Sequence, residues 1–232
     1  MNEKLIQKVD QMEDVFQTPE VRAYPTSASV ILELGGLAMR FARVERVPRY
    51  DENSRESDVE HSYMLGMVAS ELAHMLYPGT LNASLVNDYA MVHDLIEIET
   101  GDVATFQLND EDLQQKEQTE HAALESLLAT LPPRLRSLLY DYEQQADPES
   151  RFTRGVDKLL PVAVDILGAG RKIMNEDYNV HTSAELGAAH NELRKRMAER
   201  FNEFPQLVED YSLLCELFEI EFGVTGPKQS DY

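Results

Sequence analysis

Apolar residues recur at helical spacing through segment after segment of this chain, while continuous β-branched runs are scarce. A chain patterned in this way buries its core by packing helix on helix, since strands need a period of two and a β-branched or aromatic bias. Ala, Leu, Glu, Gln, Arg and Met are plentiful, which favours the same outcome. The 232 residues, 43% of them hydrophobic, suffice for one good-sized domain. The fold class read from this is all-α, a single helical bundle.

Leu5, Ile6, Val9, Met12 and Val15 predict a helix over residues 3–16, and the N-terminal helix and its linker together occupy residues 1–24. The main domain is assigned to residues 25–222. Helices are predicted over 28–43, 58–75, 83–98, 110–130, 135–145, 148–174, 183–201 and 206–222. Between the first two of these lies a polar connection with Pro48 and turn chemistry in Asp51, Asn53 and Ser54. Ser57 or Asp58 is the expected cap of the helix that follows. Residues 223–232 have the composition of a disordered tail.

Charge limits the partners. A formal net charge of -21 opposes docking on a phosphate backbone or an anionic membrane, so neither nucleic acid nor membrane is expected as a partner. A small anionic substrate needs a local positive patch or a metal. Cys215 is the single cysteine, which excludes an internal disulfide framework, and its place in "YSLLCELFEIEF" predicts a small core residue. The opening residues lack the apolar stretch of a signal peptide, and no run approaches bilayer length; the expected location is cytoplasmic.

Against this background "MVHDLIEIETGDVATF" stands out, because it sets His93, Asp94, Glu97, Glu99 and Asp102 among apolar residues. Buried charges are costly unless paired or bound to a metal. Two other segments offer further ligands. His61 shares a stripe with Leu65, Val68 and Leu72; Asp157 lies in phase with Leu160, Val164 and Leu167. The alternatives are a hydrogen-bonded core histidine for His61 and an arginine partner, Arg151 or Arg154, for Asp157. Taken together, His61, His93, Asp94 and Asp157 form a mixed imidazole and carboxylate set. It suits one divalent cation, Mn²⁺, Co²⁺, Fe²⁺, Zn²⁺ or Mg²⁺, with positions left open for water and substrate.

Glu97, three residues after Asp94, is placed on the same helical face, where a carboxylate can orient or deprotonate a water. Glu99 is read as surface. Arg40, Arg43, Arg46 and Arg49 recur every third residue, with Arg55 beyond, and offer the planar donors that phosphate takes. Surface pairing with Glu45, Asp51, Glu52 and Glu56 is the alternative for these arginines. Lys158, beside Asp157, is a further candidate for phosphate. His74, His181 and His190 lie in polar contexts and are read as solvated; His121, beside Glu120, is read as surface or as a support behind the ligands, with a second metal as the alternative if it faces the cavity.

On "VEHSYMLGMVA", "AMVHDLIEIETGDVAT" and "FTRGVDKLLPVAVDILGAG" the chain resembles the HD-domain phosphohydrolases, and among them the 5'-deoxynucleotidase branch. The resemblance covers about residues 30–180. It implies a helical bundle, catalysis through Glu97 and Asp102, and Asp102 on the sugar hydroxyl or leaving group. It also implies a phosphate-binding arginine upstream of His61, for which Arg43 and Arg46 are the candidates. That branch often has a tryptophan near this arginine that favours 2'-deoxy sugars; this chain has none, and Tyr50 or Phe41 would have to substitute.

The expected function is therefore metal-dependent removal of phosphate from a nucleoside 5'-monophosphate. The alternatives are release of tripolyphosphate from a deoxynucleoside triphosphate and a non-catalytic nucleotide-binding module with a structural metal. The helix at 206–222, rich in Leu and Phe, offers a homodimer face or packs back onto its own bundle.

Overall fold

The computed structural model describes residues 27–103, 106 and 110–224, of residues 110–117 the backbone only. The helix and linker read at residues 1–24 and the tail beyond 224 lie outside them. In chain order the described residues form α1 (Ser27–Phe41), β1 (Glu45–Arg49), β2 (Arg55–Ser57), α2 (Asp58–Leu76), α3 (Ala83–Ala90), α4 (Glu97–Thr100), α5 (Asp110–Thr130), α6 (Pro133–Glu143), α7 (Pro148–Leu167), α8 (Gly170–Glu176), α9 (Ser183–Arg200) and α10 (Pro205–Gly223). The fold is helical, as the periodicity requires.

Three boundaries depart from the sequence reading, and all three shape the site. First, the polar connection is a hairpin: β1 pairs antiparallel with β2, Glu45 opposite Ser57 and Arg49 opposite Arg55. Asp51 closes its turn by accepting from the Asn53 and Ser54 amides. Second, the helix expected over 83–98 stops at Ala90. Bonds three residues back, Val92 to Tyr89, Leu95 to Val92 and Glu97 to Asp94, carry the chain to α4. The Ala90 carbonyl, the α-helical acceptor for Asp94, receives the His93 ring at 2.9 Å. Third, the helix expected over 148–174 breaks at Gly168. A Cβ there would stand 2.2 Å from the Arg49 carbonyl oxygen, so a side chain would push β1 off α7.

Ser57 caps α2 in a capping box with Glu60, each side chain serving the other's amide. The main core joins α2, α3 and α7 to α9 and α10 through Leu65, Val86, Phe152, Val156, Leu186 and Leu207. Gly66 lets α3 approach α2, since a Cβ there would meet Asn87 Oδ1 at 2.7 Å. A second cluster, with Phe41, Val92, Leu95, Ile96, Leu127 and Leu139, packs α1, α5 and α6 around the 91–96 turn. Helix α10 packs back through Leu207, Tyr211, Cys215, Phe218 and Phe222, while Leu213, Leu217 and Ile220 stay exposed. Cys215 is a core residue. His190, read as solvated, is instead buried at 2% exposure, because Glu219 of α10 receives its ring at 2.8 Å. No helix of the described residues is long and apolar enough to cross a membrane.

Candidate metal centre

His61 comes from the first turns of α2, His93 and Asp94 from the turn after α3, and Asp157 from the middle of α7. Their ligand atoms all lie within 4.8 Å of one another. His61 Nε2 meets Asp157 Oδ1 at 2.9 Å; His93 Nε2 stands 2.8 Å from Asp94 Oδ2 and 3.8 Å from Asp157 Oδ1. The arginines read as alternative partners of Asp157 go elsewhere, Arg151 to Glu203 and Arg154 to Glu143. Asp157 Oδ2 instead accepts from Lys158 at 2.8 Å.

Several observations test whether a divalent cation fits. A carbonyl only accepts, so His93 carries its ring hydrogen on Nδ1 and its Nε2 is bare when neutral. That Nε2 is buried without a hydrogen bond, although an aspartate oxygen lies 2.8 Å away. The two atoms are close and misaligned, as two ligands aimed at a common point are. Ligands about 2.1 Å from one ion at right angles stand roughly 3 Å apart, the spacing seen here. The donor set of two imidazoles and two carboxylates suits a transition-metal dication. The residues fit the ion.

Around this set lies an excess of negative charge. Arg46, only 8% exposed, is ringed by carboxylates: Glu56 Oε2 is 3.3 Å from Nε, while Asp58 Oδ1, Asp94 Oδ2 and Glu97 Oε2 are 3.2, 2.7 and 3.8 Å from Nη1. Burial works against the Arg46 charge, but Asp94, Asp157, Asp102 and Glu97 outweigh it and hold the pKa above the usual guanidinium value. Burial, reinforced by Asp94, Asp102 and Asp58, pushes the Glu97 carboxyl up to about 11. Burial and Asp94 raise Asp58 to about 6 despite Arg46. Burial also opposes the His61 imidazolium, yet the Asp157 and Glu56 carboxylates bring it to about 9. A bound dication relieves this crowding of acids.

Glu56 and Asp58 escaped the sequence reading. Glu56 was assigned to surface pairing with the arginines and Asp58 to capping, yet both are 0% exposed. Glu56 is the inward-facing residue of β2, with Oε2 3.5 Å from His61 Nδ1. The signal was the strand alternation of "RES", which a charged residue on the inner face conceals. Tyr142 was also missed, and Arg154 was read only as an alternative partner of Asp157. The Tyr142 ring stands edge-on to His93 at 5.9 Å and takes the Arg154 guanidinium over its face at 4.6 Å.

A cavity of about 760 Å³ opens over these residues, and Arg46, His93, Asp94, Glu97, Asp102 and Lys158 line it. Arg43 is exposed and lies outside that lining. Of the aromatic substitutes proposed for the missing tryptophan, Phe41 is buried in the second core cluster and Tyr50 is 38% exposed; neither lines the cavity. Phe106 and Tyr178 do, with ring centres 4.5 Å apart. Asp102 follows Gly101, whose φ of 71° in the left-handed region turns the chain out of α4. Glu99 is exposed against Arg40, and His121 is exposed beside Glu125.

The sequence model of the HD domain matches residues 40–201. A 5'-deoxynucleotidase of Vibrio cholerae serotype O1 is 33% identical over 128 residues, 52% of this chain and 66% of that protein. The 5'-deoxynucleotidase YfbR of Escherichia coli K12 is 30% identical over 128 residues, 52% of this chain and 64% of that protein. The match thus spans a little under two thirds of each relative's length. The crystal structure of a predicted metal-dependent phosphohydrolase from Magnetospirillum magnetotacticum MS-1 superposes with a TM-score of 0.63 at 21% identity, covering 85% of this chain and 97% of that one; it shows the shared fold.

Proposed function

The chain belongs to the HD-domain family, and from that premise we propose that it is a metal-dependent phosphohydrolase that removes phosphate from nucleoside 5'-monophosphates. The observation that carries this is the bare, buried His93 Nε2 converging with His61, Asp94 and Asp157 at the floor of a cavity that also holds Glu97 and Arg46. When bound, a divalent cation supplies Lewis-acid charge to a phosphoryl oxygen and acidifies the attacking water.

His61, His93, Asp94 and Asp157 hold that ion. With a cation held beside it to relieve the crowding of acids, Glu97 would be ionised and would take the proton of the water as the water oxygen bonds to phosphorus. The bond between phosphorus and the 5'-oxygen breaks in line, and that oxygen takes up the proton held by Glu97 to become the nucleoside hydroxyl. Arg46 lines the cavity and faces the phosphate, its carboxylate contacts among the described residues being made by Nε and Nη1, and Lys158 adds a second positive group. Asp102 holds the sugar hydroxyl or the leaving oxygen. The names of the two 5'-deoxynucleotidase relatives support a deoxynucleotide substrate. The rings of Phe106 and Tyr178 offer the apolar surface a base or sugar needs.

One observation favours a second reading. Arg154, Lys158, Arg196 and Arg200 also line the cavity, more positive groups than a single phosphate needs, although Glu143 pairs with Arg154 and Glu192 with Arg196. The test is product analysis with nucleoside mono- and triphosphates after metal stripping and re-supply of Mn²⁺, Co²⁺, Mg²⁺ and Zn²⁺ in turn. Orthophosphate from monophosphates, absent in Asp94→Ala, is the expected result. Tripolyphosphate moves the protein to the second reading. Metal binding without release of either moves it to a nucleotide-binding module with a structural ion.

A further inference from the structure

A second group of acids sits against the first. One oxygen each of Asp58, Asp94 and Glu97 lies within 4.8 Å of the others. The cage is largely buried: Asp58 is 0% and Glu97 6% exposed, and Asp58 Oδ2 and Glu97 Oε2 have no hydrogen-bond partner among the described residues. Acids buried in this way must be paired with a cation or neutralised by a proton.

The cation present is a side chain. Arg46 Nη1 reaches Asp58 Oδ1, Asp94 Oδ2 and Glu97 Oε2 at 3.2, 2.7 and 3.8 Å. Asp94 Oδ2 is also the oxygen that stands 2.8 Å from His93 Nε2. One carboxylate oxygen thus lies between the imidazole of the first group and the guanidinium of the second. A two-metal phosphohydrolase site has this layout, with two cations side by side and a carboxylate common to both.

We propose that the Arg46 guanidinium is a built-in substitute for a second divalent cation: it fills the Asp58–Asp94–Glu97 cage, restricts the centre to one ion, and its removal opens a second metal site. The proposal rests on reading His61, His93, Asp94 and Asp157 as the first site. The arrangement has a chemical consequence. A guanidinium keeps its charge at every physiological pH and does not exchange with solvent, so the second positive charge is permanent. The cage itself offers only oxygens, which suit Mn²⁺ or Mg²⁺, whereas the first site mixes nitrogen and oxygen.

The experiment compares wild type with Arg46→Met, which keeps the bulk of the stem and removes the charge. Both are stripped of metal, re-equilibrated with Mn²⁺, and assayed for bound manganese and for the spin-coupled EPR signal of two adjacent ions. Arg46→Met is expected to bind one more equivalent than wild type and to show the coupled signal. Adding Asp58→Asn should weaken that extra ion by about tenfold or more. Equal manganese in both proteins, or an extra ion indifferent to Asp58→Asn, would overturn the proposal.

The deciding quantity is the difference between the two proteins. Should wild type bind no ion at all, the proposed function fails, while the difference still decides this inference. Because Arg46→Met leaves buried acids uncompensated, a second measurement uses wild type alone: anomalous diffraction from crystals grown in excess Mn²⁺. A peak beside His93 only is expected, and a second peak between Asp58 and Glu97 overturns the proposal.

Discussion

His93 donates from Nδ1 to the Ala90 carbonyl across 2.9 Å, and the bond both ends α3 and leaves Nε2 bare toward Asp94. One hydrogen bond therefore sets the backbone that carries Asp94 and the lone pair that a metal takes. His93→Gln should lower affinity for Mn²⁺ at least about a hundredfold, beyond the loss that follows from removing a ligand's outer partner. Thermal stability gives a second view. Mn²⁺ at a hundred times the wild-type Kd should stabilise wild type by about 2.7 kcal/mol, and the gain should fall to about 0.4 kcal/mol or less in His93→Gln. Calorimetric titration and melting curves check both.

Glu56 acts on the centre through His61. Its carboxylate is fully buried, 3.5 Å from His61 Nδ1, on the side of the ring opposite Nε2 and Asp157. The pair is at ion-pair distance without a hydrogen bond, and bond formation on metal binding would set the ring's orientation and strengthen Nε2 as a ligand. Glu56→Gln should weaken metal binding about tenfold to a hundredfold, with turnover at saturating metal changed far less. Turnover lost at saturating Mn²⁺ with unchanged metal affinity would contradict a role through His61.

Glu97 is separable from the first metal site, because the four residues whose ligand atoms converge there are His61, His93, Asp94 and Asp157. Glu97→Gln should cut phosphate release about 100- to 10,000-fold while the first ion still binds. Parallel assays of orthophosphate release and bound manganese distinguish a proton-transfer role from loss of the ion.

His190 makes stability depend on pH away from the centre. Burial lowers its pKa below 6.5, although Glu219, which accepts its ring hydrogen and also pairs with Arg194, acts in the opposite direction. A lowered folded-state pKa means that the unfolded chain takes up the proton first as pH falls. The stabilisation is then present above 6.5 and is lost as pH drops through and below that value. The melting temperature of wild type should exceed that of His190→Gln at about pH 8, and the gap should narrow by about pH 5.5. All other titrating groups are common to both proteins and cancel in the difference.

The sequence by itself determined the helices and the cast of residues at the centre. Helical periodicity is a local property, so α2, α5, α7, α9 and α10 were legible from spacing and caps. Histidines and acids in apolar phase were legible because burying them is costly, and the structure brings His61, His93, Asp94 and Asp157 together. Tertiary structure decided the rest. Arg46 stood out no more than Arg43 in the sequence; only the hairpin, folding its strand over Asp94 across 48 residues, buries one and exposes the other. Glu56 and His190 looked like surface residues, and Asp58 like a helix cap, because their partners Arg46, His61 and Glu219 are defined by packing. The break at Ala90 came from a side chain taking a backbone acceptor, and the break at Gly168 from a strand passing too close for a Cβ. Spacing reports which face a residue is on, whereas the fate of a charge depends on what the fold sets opposite that face.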